Sequence, residues 1–137
     1  MTPFSLRIVT PDGVRFDAQA EEVIVRSTCG DIGIMAGHIN CVVSLGMGEA
    51  MVVVDGQKRY AACVGGMLSV VNGQVTLVPT SFEWADGIDV DRASASEKRA
   101  KEVLASKNAS GTELRMAEAR LKRALIRQNV AARHTNK

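Results

Sequence analysis

Three dipeptides, Asp12-Gly13, Asp55-Gly56 and Asn72-Gly73, most constrain what this chain can fold into. Each suits a two-residue β-hairpin turn, whose central residues take the positive φ that glycine adopts freely and Asn or Asp tolerates. Each lies between short apolar or alternating runs. Residues 4–10 place Phe4, Leu6 and Ile8 on one face and Ser5, Arg7 and Val9 on the other. Residues 14–20 follow, with Val14, Phe16 and Ala18 sharing a face, and residues 21–28 give a third run. Beyond a glycine-rich stretch come runs at 40–45, 50–54, 59–64, 67–71 and 75–79, broken at Gly46-Met47-Gly48, Gly65-Gly66 and the turns already named. Turn signals at this spacing predict an antiparallel all-β sandwich or flattened barrel.

The glycine-rich stretch Cys29-Gly30-Asp31-Ile32-Gly33-Ile34-Met35-Ala36-Gly37-His38 carries three glycines within eight residues. It reads as a tight bent loop that exposes some of its apolar side chains. It is not a phosphate loop: it lacks G-x-x-x-x-G-K-[ST], and Asp31 would repel phosphate. His38 is open to several readings: a base, a metal ligand, a pH sensor, a positioning residue for the loop, or a contact with a partner. The other histidine, His134, is far away in sequence, so no catalytic constellation emerges. Met35, Met47 and Met51 suit core filling and adaptable contact surface better than metal binding.

Composition bounds the rest. Hydrophobic residues make up 46% of the 137 residues but aromatics only 4%, so the core must be aliphatic. A chain of this length buries roughly two-thirds of its unfolded surface and needs no covalent staple. Cys29, Cys41 and Cys63 are odd in number, widely spaced and without C-x-x-C, which argues against zinc or a disulfide framework and for a reducing, cytosolic setting. No run of about 18 apolar residues predicts a transmembrane span, and no signal peptide is expected.

Near Ala85-Asp86-Gly87 the β-branched residues thin out and Ala, Lys, Arg and Glu take over, which places a domain boundary between residues 1–86 and 87–137. Charge divides there too. Residues 1–87 hold 5 Lys+Arg against 9 Asp+Glu, a balance of −4, and residues 88–137 hold 12 against 6, a balance of +6. Asp89 suits an N-cap, with Asp91 in a first turn where the helix dipole favours negative charge. Val90, Ala93, Ala100, Val103 and Leu104 have helical spacing. Residues 107–111 break it, and Thr112 is the expected cap of a second helix with the stripe Leu114, Ala117, Leu121, Ala124, Leu125 and Val130. This is an αα-hairpin. Its stripes are narrow and alanine-rich, so weak packing is expected from residues of high helix propensity. Such segments can stay helical while changing partner. The basic face of the second helix (Arg115, Arg120, Lys122, Arg123, Arg127, Arg133) reads as a solvated surface, a nucleic-acid surface, or a surface for an acidic protein partner. No aromatic residues accompany the charge for base stacking.

Four stretches carry a family resemblance. Gly30-Asp31-Ile32-Gly33-Ile34-Met35-Ala36-Gly37-His38 resembles the G-x-[LIF]-G-[IV]-[LMY]-x-[GN]-H signature of ε subunits of F-type ATP synthases, and Gly65-Gly66-Met67-Leu68-Ser69-Val70 is similar to their G-G-x-[LV]-x-V segment. Ile88-Asp89-Val90-Asp91-Arg92-Ala93 is similar to the I-D-x-x-R-A motif of ε subunits that bind ATP, and Leu121-Lys122-Arg123-Ala124-Leu125-Ile126-Arg127 to their L-K-R-A-x-x-R. The resemblance implies a two-sheet sandwich of about ten strands followed by a regulatory hairpin. It implies a bacterial F1 stalk subunit with no catalytic residue, no metal and no required cofactor. The γ subunit would lie along one side of the sandwich. The end formed by Asp31, Ile32, Gly33, Ile34 and Met35, with His38 as a further subunit contact, would rest on the c-ring. The chain would then sit at the cytoplasmic face of the membrane as a peripheral protein, touching the membrane only through that ring. An extended hairpin would reach the α and β subunits and block ATP hydrolysis. ATP would be a regulatory ligand, with Arg92, Arg123 and Arg127 gripping phosphates by charge-assisted bonds, Glu83 and Asp89 accepting from adenine or ribose, and Ile88 and Ala93 lining the base. The sequence does not settle a role for Mg²⁺. The rival reading is a stand-alone nucleic-acid- or protein-binding module with a basic helical arm.

Overall fold

A computed structural model describes residues 2–134, which divide between Trp84 and Ala85 into two compact units. The division lies two residues before the expected boundary because Ala85–Gly87 form a 3₁₀ turn in contact with the second helix.

The first unit has ten strands: β1 Phe4–Thr10, β2 Gly13–Ala20, β3 Glu22–Ser27, β4 Gly30–Ile34, β5 Cys41–Ser44, β6 Met47–Val54, β7 Gln57–Val64, β8 Met67–Val71, β9 Gln74–Val78 and β10 Ser81–Trp84. They form two five-stranded sheets, ordered β2-β1-β9-β8-β5 and β10-β7-β6-β3-β4. The pairs are antiparallel except β1 with β9, which run parallel. Hairpin turns fix the direction of neighbours in sequence, but β1 and β9 meet only through the closing of the sheet. Two of the three expected turns occur as read, with Asp55 and Asn72 at φ 52° and 49° and each followed by glycine. The first hairpin instead turns at Pro11-Asp12, and Gly13, already in β2, pairs with Thr10.

Alternation builds the core. Phe4, Leu6, Ile8, Leu68, Val70, Val75 and Leu77 of one sheet bury with Val23, Val25, Ile34, Val52, Ala61, Cys63 and Phe82 of the other. Each large aliphatic side chain contributes about 1.5–3 kcal/mol on burial. Burial also pushes the Cys63 thiol up to about 12, so it is inert at neutral pH. In β2, Phe16 pairs with Ile8 but Val14 pairs with Val9, because a bulge skips Arg15. Val14 therefore shares the outer face with Val9, not the inner face with Phe16.

The sandwich ends on an aromatic cluster. Trp84 stands edge-on to Phe82 (4.9 Å between centroids) and Phe16 (6.2 Å). The Arg59 guanidinium lies 3.8 Å over its ring, and its indole N–H donates to the Arg15 carbonyl at 3.4 Å.

The second unit holds α1, Val90–Ala105, and α2, Gly111–His134. Asp89 caps α1, its carboxylate accepting from the Arg92 N–H at 3.0 Å. The cap of α2 is Ser110, not Thr112. Ser110 Oγ accepts from the Glu113 N–H (3.1 Å), and the Glu113 carboxylate accepts from the Ser110 N–H (3.5 Å). That reciprocal box is written in the spacing Ser-x-x-Glu. No helix among the described residues is long and apolar enough to cross a membrane.

Candidate functional site

The glycine-rich run is mostly strand rather than loop. Residues 30–34 are β4, an edge strand paired with β3 through a two-residue turn at Thr28-Cys29. Ile32 and Ile34 alternate inward, and Ile34 is 0% exposed in the core, so its side chain is not part of any surface. Asp31 and Gly33 face solvent, and Asp31 pairs with Arg26 Nε at 2.9 Å. The run from Asp31 to Met35 is therefore not one end of the sandwich. It spans the length of β4, roughly 13 Å at the rise of a strand. Asp31 belongs to the Thr28-Cys29 end and Met35 to the other.

At that second end, residues 35–40 form the true loop. The His38 N–H donates to the Met35 carbonyl (3.2 Å). Its Nδ1 lies 2.9 Å from the Ile39 carbonyl, a contact that places the ring proton on Nδ1, and 3.9 Å from Cys41 Sγ. Asn40 ties the loop to the β8–β9 turn: its Oδ1 accepts from the Asn72 N–H at 2.8 Å. Sequence reading missed this clamp, which joins residues 32 apart. Met35, Ala36, Gly37 and His38 close with Phe4, Val70 and Val75 around a shallow depression of about 200 Å³.

Beside it lies an apolar surface. Val42 of β5, Met67 and Val71 of β8 and Val78 of β9 occupy the outer face of their sheet, with Met67 directly opposite Val78. Val42 is 62% exposed, and Ile39 in the adjoining loop 76%.

The residues expected at a nucleotide site divide between the units. Glu83 lies in β10, and the other six lie in the helical unit. Asp89 and Arg92 are exposed at the start of α1, and Ile88 is buried. Ala93 is wholly buried, as are Ala100, Ala117, Ala124 and Ala131, so its methyl belongs to the helix seam rather than to an open wall. Arg123 and Arg127 are half-buried, one turn apart on α2. Gln128 Nε2 donates to Glu97 Oε1 at 2.8 Å, which sets those two residues level across the antiparallel pair. At ~1.5 Å per residue, Arg127 then stands ~9 Å and Arg123 ~15 Å along the axis from Arg92. The three arginines are therefore spread along the hairpin rather than level with one another. Among the described residues no group of three or more His, Cys, Asp or Glu could hold a metal ion.

Two family models cover the chain. Residues 3–85 match the β-sandwich domain of the ATP synthase delta/epsilon chain, and residues 86–132 match its long α-helix domain. The chain belongs to the ATP synthase delta/epsilon family. Among its relatives, the ATP synthase epsilon chain of Bacillus velezensis is 44% identical over 131 residues, covering 96% of this chain and 98% of the relative. That of Bacillus pumilus is 41% identical, covering 97% and 100%. A chain in the mitochondrial ATP synthase structure from Euglena gracilis superposes with a TM-score of 0.80 at 20% identity, over 98% of this chain and 83% of that one, a likeness of fold. The two delta/epsilon models divide one residue after Trp84, where the compact units divide.

Proposed function

We propose that this chain serves a bacterial F-type ATP synthase as a central-stalk subunit that carries no chemistry of its own, passes rotation to the catalytic head and restrains ATP hydrolysis. Beyond family membership, the observation that carries this reading is the exposed apolar face of Val42, Met67, Val71 and Val78 on a rigid sheet. Contiguous apolar surface of this kind marks a docking site. The γ subunit is its proposed occupant, with Met35, Ile39 and His38 extending the contact. The opposite end of β4, with Gly30 and Asp31, would rest on the polar loops of the c-ring, which would hold the protein peripherally at the cytoplasmic membrane face.

The hairpin would be the regulator, its basic second helix reaching acidic segments of the β subunits when extended. Five alanine methyls and Val130 are the buried apolar groups of its two helices, worth about 6 kcal/mol at ~0.8 kcal/mol for each methyl and ~2 kcal/mol for the valine. ATP at a hundredfold excess over its Kd stabilises the form that binds it by ~2.7 kcal/mol. A ligand effect of that size matters only against a seam this weak. Arg92, Arg123 and Arg127 are the proposed phosphate contacts.

Two measurements test these readings separately. Val42→Glu or Met67→Glu should reduce co-purification with γ at least tenfold, and unchanged co-purification would remove the docking face. Isothermal titration of the full chain with ATP, with and without Mg²⁺, should show binding that Arg123→Ala weakens. Absence of heat up to millimolar ATP would remove the sensor role and leave the stalk role standing.

A further inference from the structure

The helices of the hairpin bury alanines at seven-residue intervals: Ala93 and Ala100 on α1, and Ala117, Ala124 and Ala131 on α2. A methyl seam with this period carries little register information. Leucine knobs resist sliding because each needs its own hole. Alanines barely protrude, so a slide of one heptad sets Ala100 against Ala117 where Ala124 had been. The link at 106–110 is long enough to permit it: five extended residues span ~17 Å, and one heptad of helix is ~10.5 Å.

A part-buried hydrogen bond crosses the seam, from Gln128 Nε2 to Glu97 Oε1 at 2.8 Å. Both side chains are held from their own helices as well. Glu97 Oε2 takes Lys101 Nζ at 2.7 Å, and Gln128 Nε2 also reaches the Ala124 carbonyl at 3.3 Å. The Glu97 side chain is only 20% exposed. We propose that Glu97 and Gln128 are the register pin of the hairpin, a positioning pair that selects one axial alignment of two otherwise slippery helices. A half-buried polar pair in a seam of small side chains is suited to this, because every other alignment gives up the bond between Gln128 and Glu97. The consequence for ligand binding rests on the nucleotide reading above: a heptad slip moves Arg123 and Arg127 ~10 Å along the axis, from ~15 and ~9 Å short of Arg92 to within ~5 Å of its level, and so changes the spacing of the three proposed phosphate contacts.

Disulfide trapping in the full chain tests the pin. The pairs Ala100→Cys with Ala124→Cys, and Ala100→Cys with Ala117→Cys, report the observed and the slipped alignments. Mild oxidation followed by mass-spectrometric mapping separates these bridges from the native cysteines. The unaltered pair should give only the 100–124 bridge. Glu97→Ala should raise the 100–117 bridge at least fivefold with helicity retained, the exchange Glu97→Gln with Gln128→Glu should restore the single bridge, and Lys101→Ala should leave it unchanged. A Glu97→Ala chain that still gives only the 100–124 bridge, or that loses helicity without changing register, overturns the pin. Titration with ATP separates the two ideas. A slip without ATP binding in any variant keeps the pin and removes the nucleotide site. Unchanged ATP affinity in a slipped Glu97→Ala chain removes the link between them.

Discussion

Two glycines in similar sequence surroundings carry opposite obligations. Gly66 sits at φ +94°, and a methyl added there would run into the Val78 carbonyl and Pro79. Gly33 has an ordinary φ, and an added methyl would meet only Ile24 Cγ1 at 3.8 Å. Gly66→Ala should therefore cost about 3 kcal/mol or more, from strain plus displaced backbone, while Gly33→Ala should be neutral or stabilise by ~0.5 kcal/mol. Urea unfolding of the two variants measures the contrast. Glu97 offers a second check at this scale. Lys101 and then Gln128 hold its carboxyl below the ordinary carboxylate range. A depressed folded value means its contribution is complete above the unfolded value, near pH ~4, and fades as pH falls through the folded value. Helicity at 222 nm should thus melt at lower temperature at pH 3 than at pH 6, and Glu97→Ala should flatten that dependence.

At the scale of elements, Ser110→Ala should destabilise α2 by about 0.5–2 kcal/mol, as loss of a cap does, and Thr112→Ala by far less, as read by urea melts of helicity. The contrast shows what the chain makes legible. Ser110 and Glu113 carry their box openly, and Thr112 is only a better-looking residue in the wrong place. The hairpin turns at Asp55-Gly56 and Asn72-Gly73 were readable because φ demands are local. β4 was not, because Gly30 and Gly33 punctuate a strand whose inward alternation, Ile32 and Ile34, is two residues long. The bulge at Arg15 leaves no local mark, so simple alternation puts Val14 on the wrong face. The candidate site divides the same way. That Arg123 and Arg127 share a face follows from helical spacing alone. Their distance from Arg92 follows from the alignment of two helices, which depends on Glu97 and Gln128 on different elements.

For the whole molecule, the sandwich core is drawn entirely from residues between Phe4 and Phe82, with Trp84 packed against it. A chain ending after Trp84 should fold alone and melt cooperatively within a few degrees of the intact protein. Residues 85–137 alone, seamed by methyl groups, should be partly helical and melt broadly. Circular dichroism of the two fragments decides it, and a non-cooperative sandwich fragment would show that its stability is borrowed. The terminal strand also leaves the experimenter a gift. The chain has a single tryptophan, wedged between two phenyl rings and roofed by a cation. Its emission is a private optical gauge of how firmly β10 is seated. A ligand that stirs only the helices should leave that light unchanged, and any event that peels the strand away should redden it.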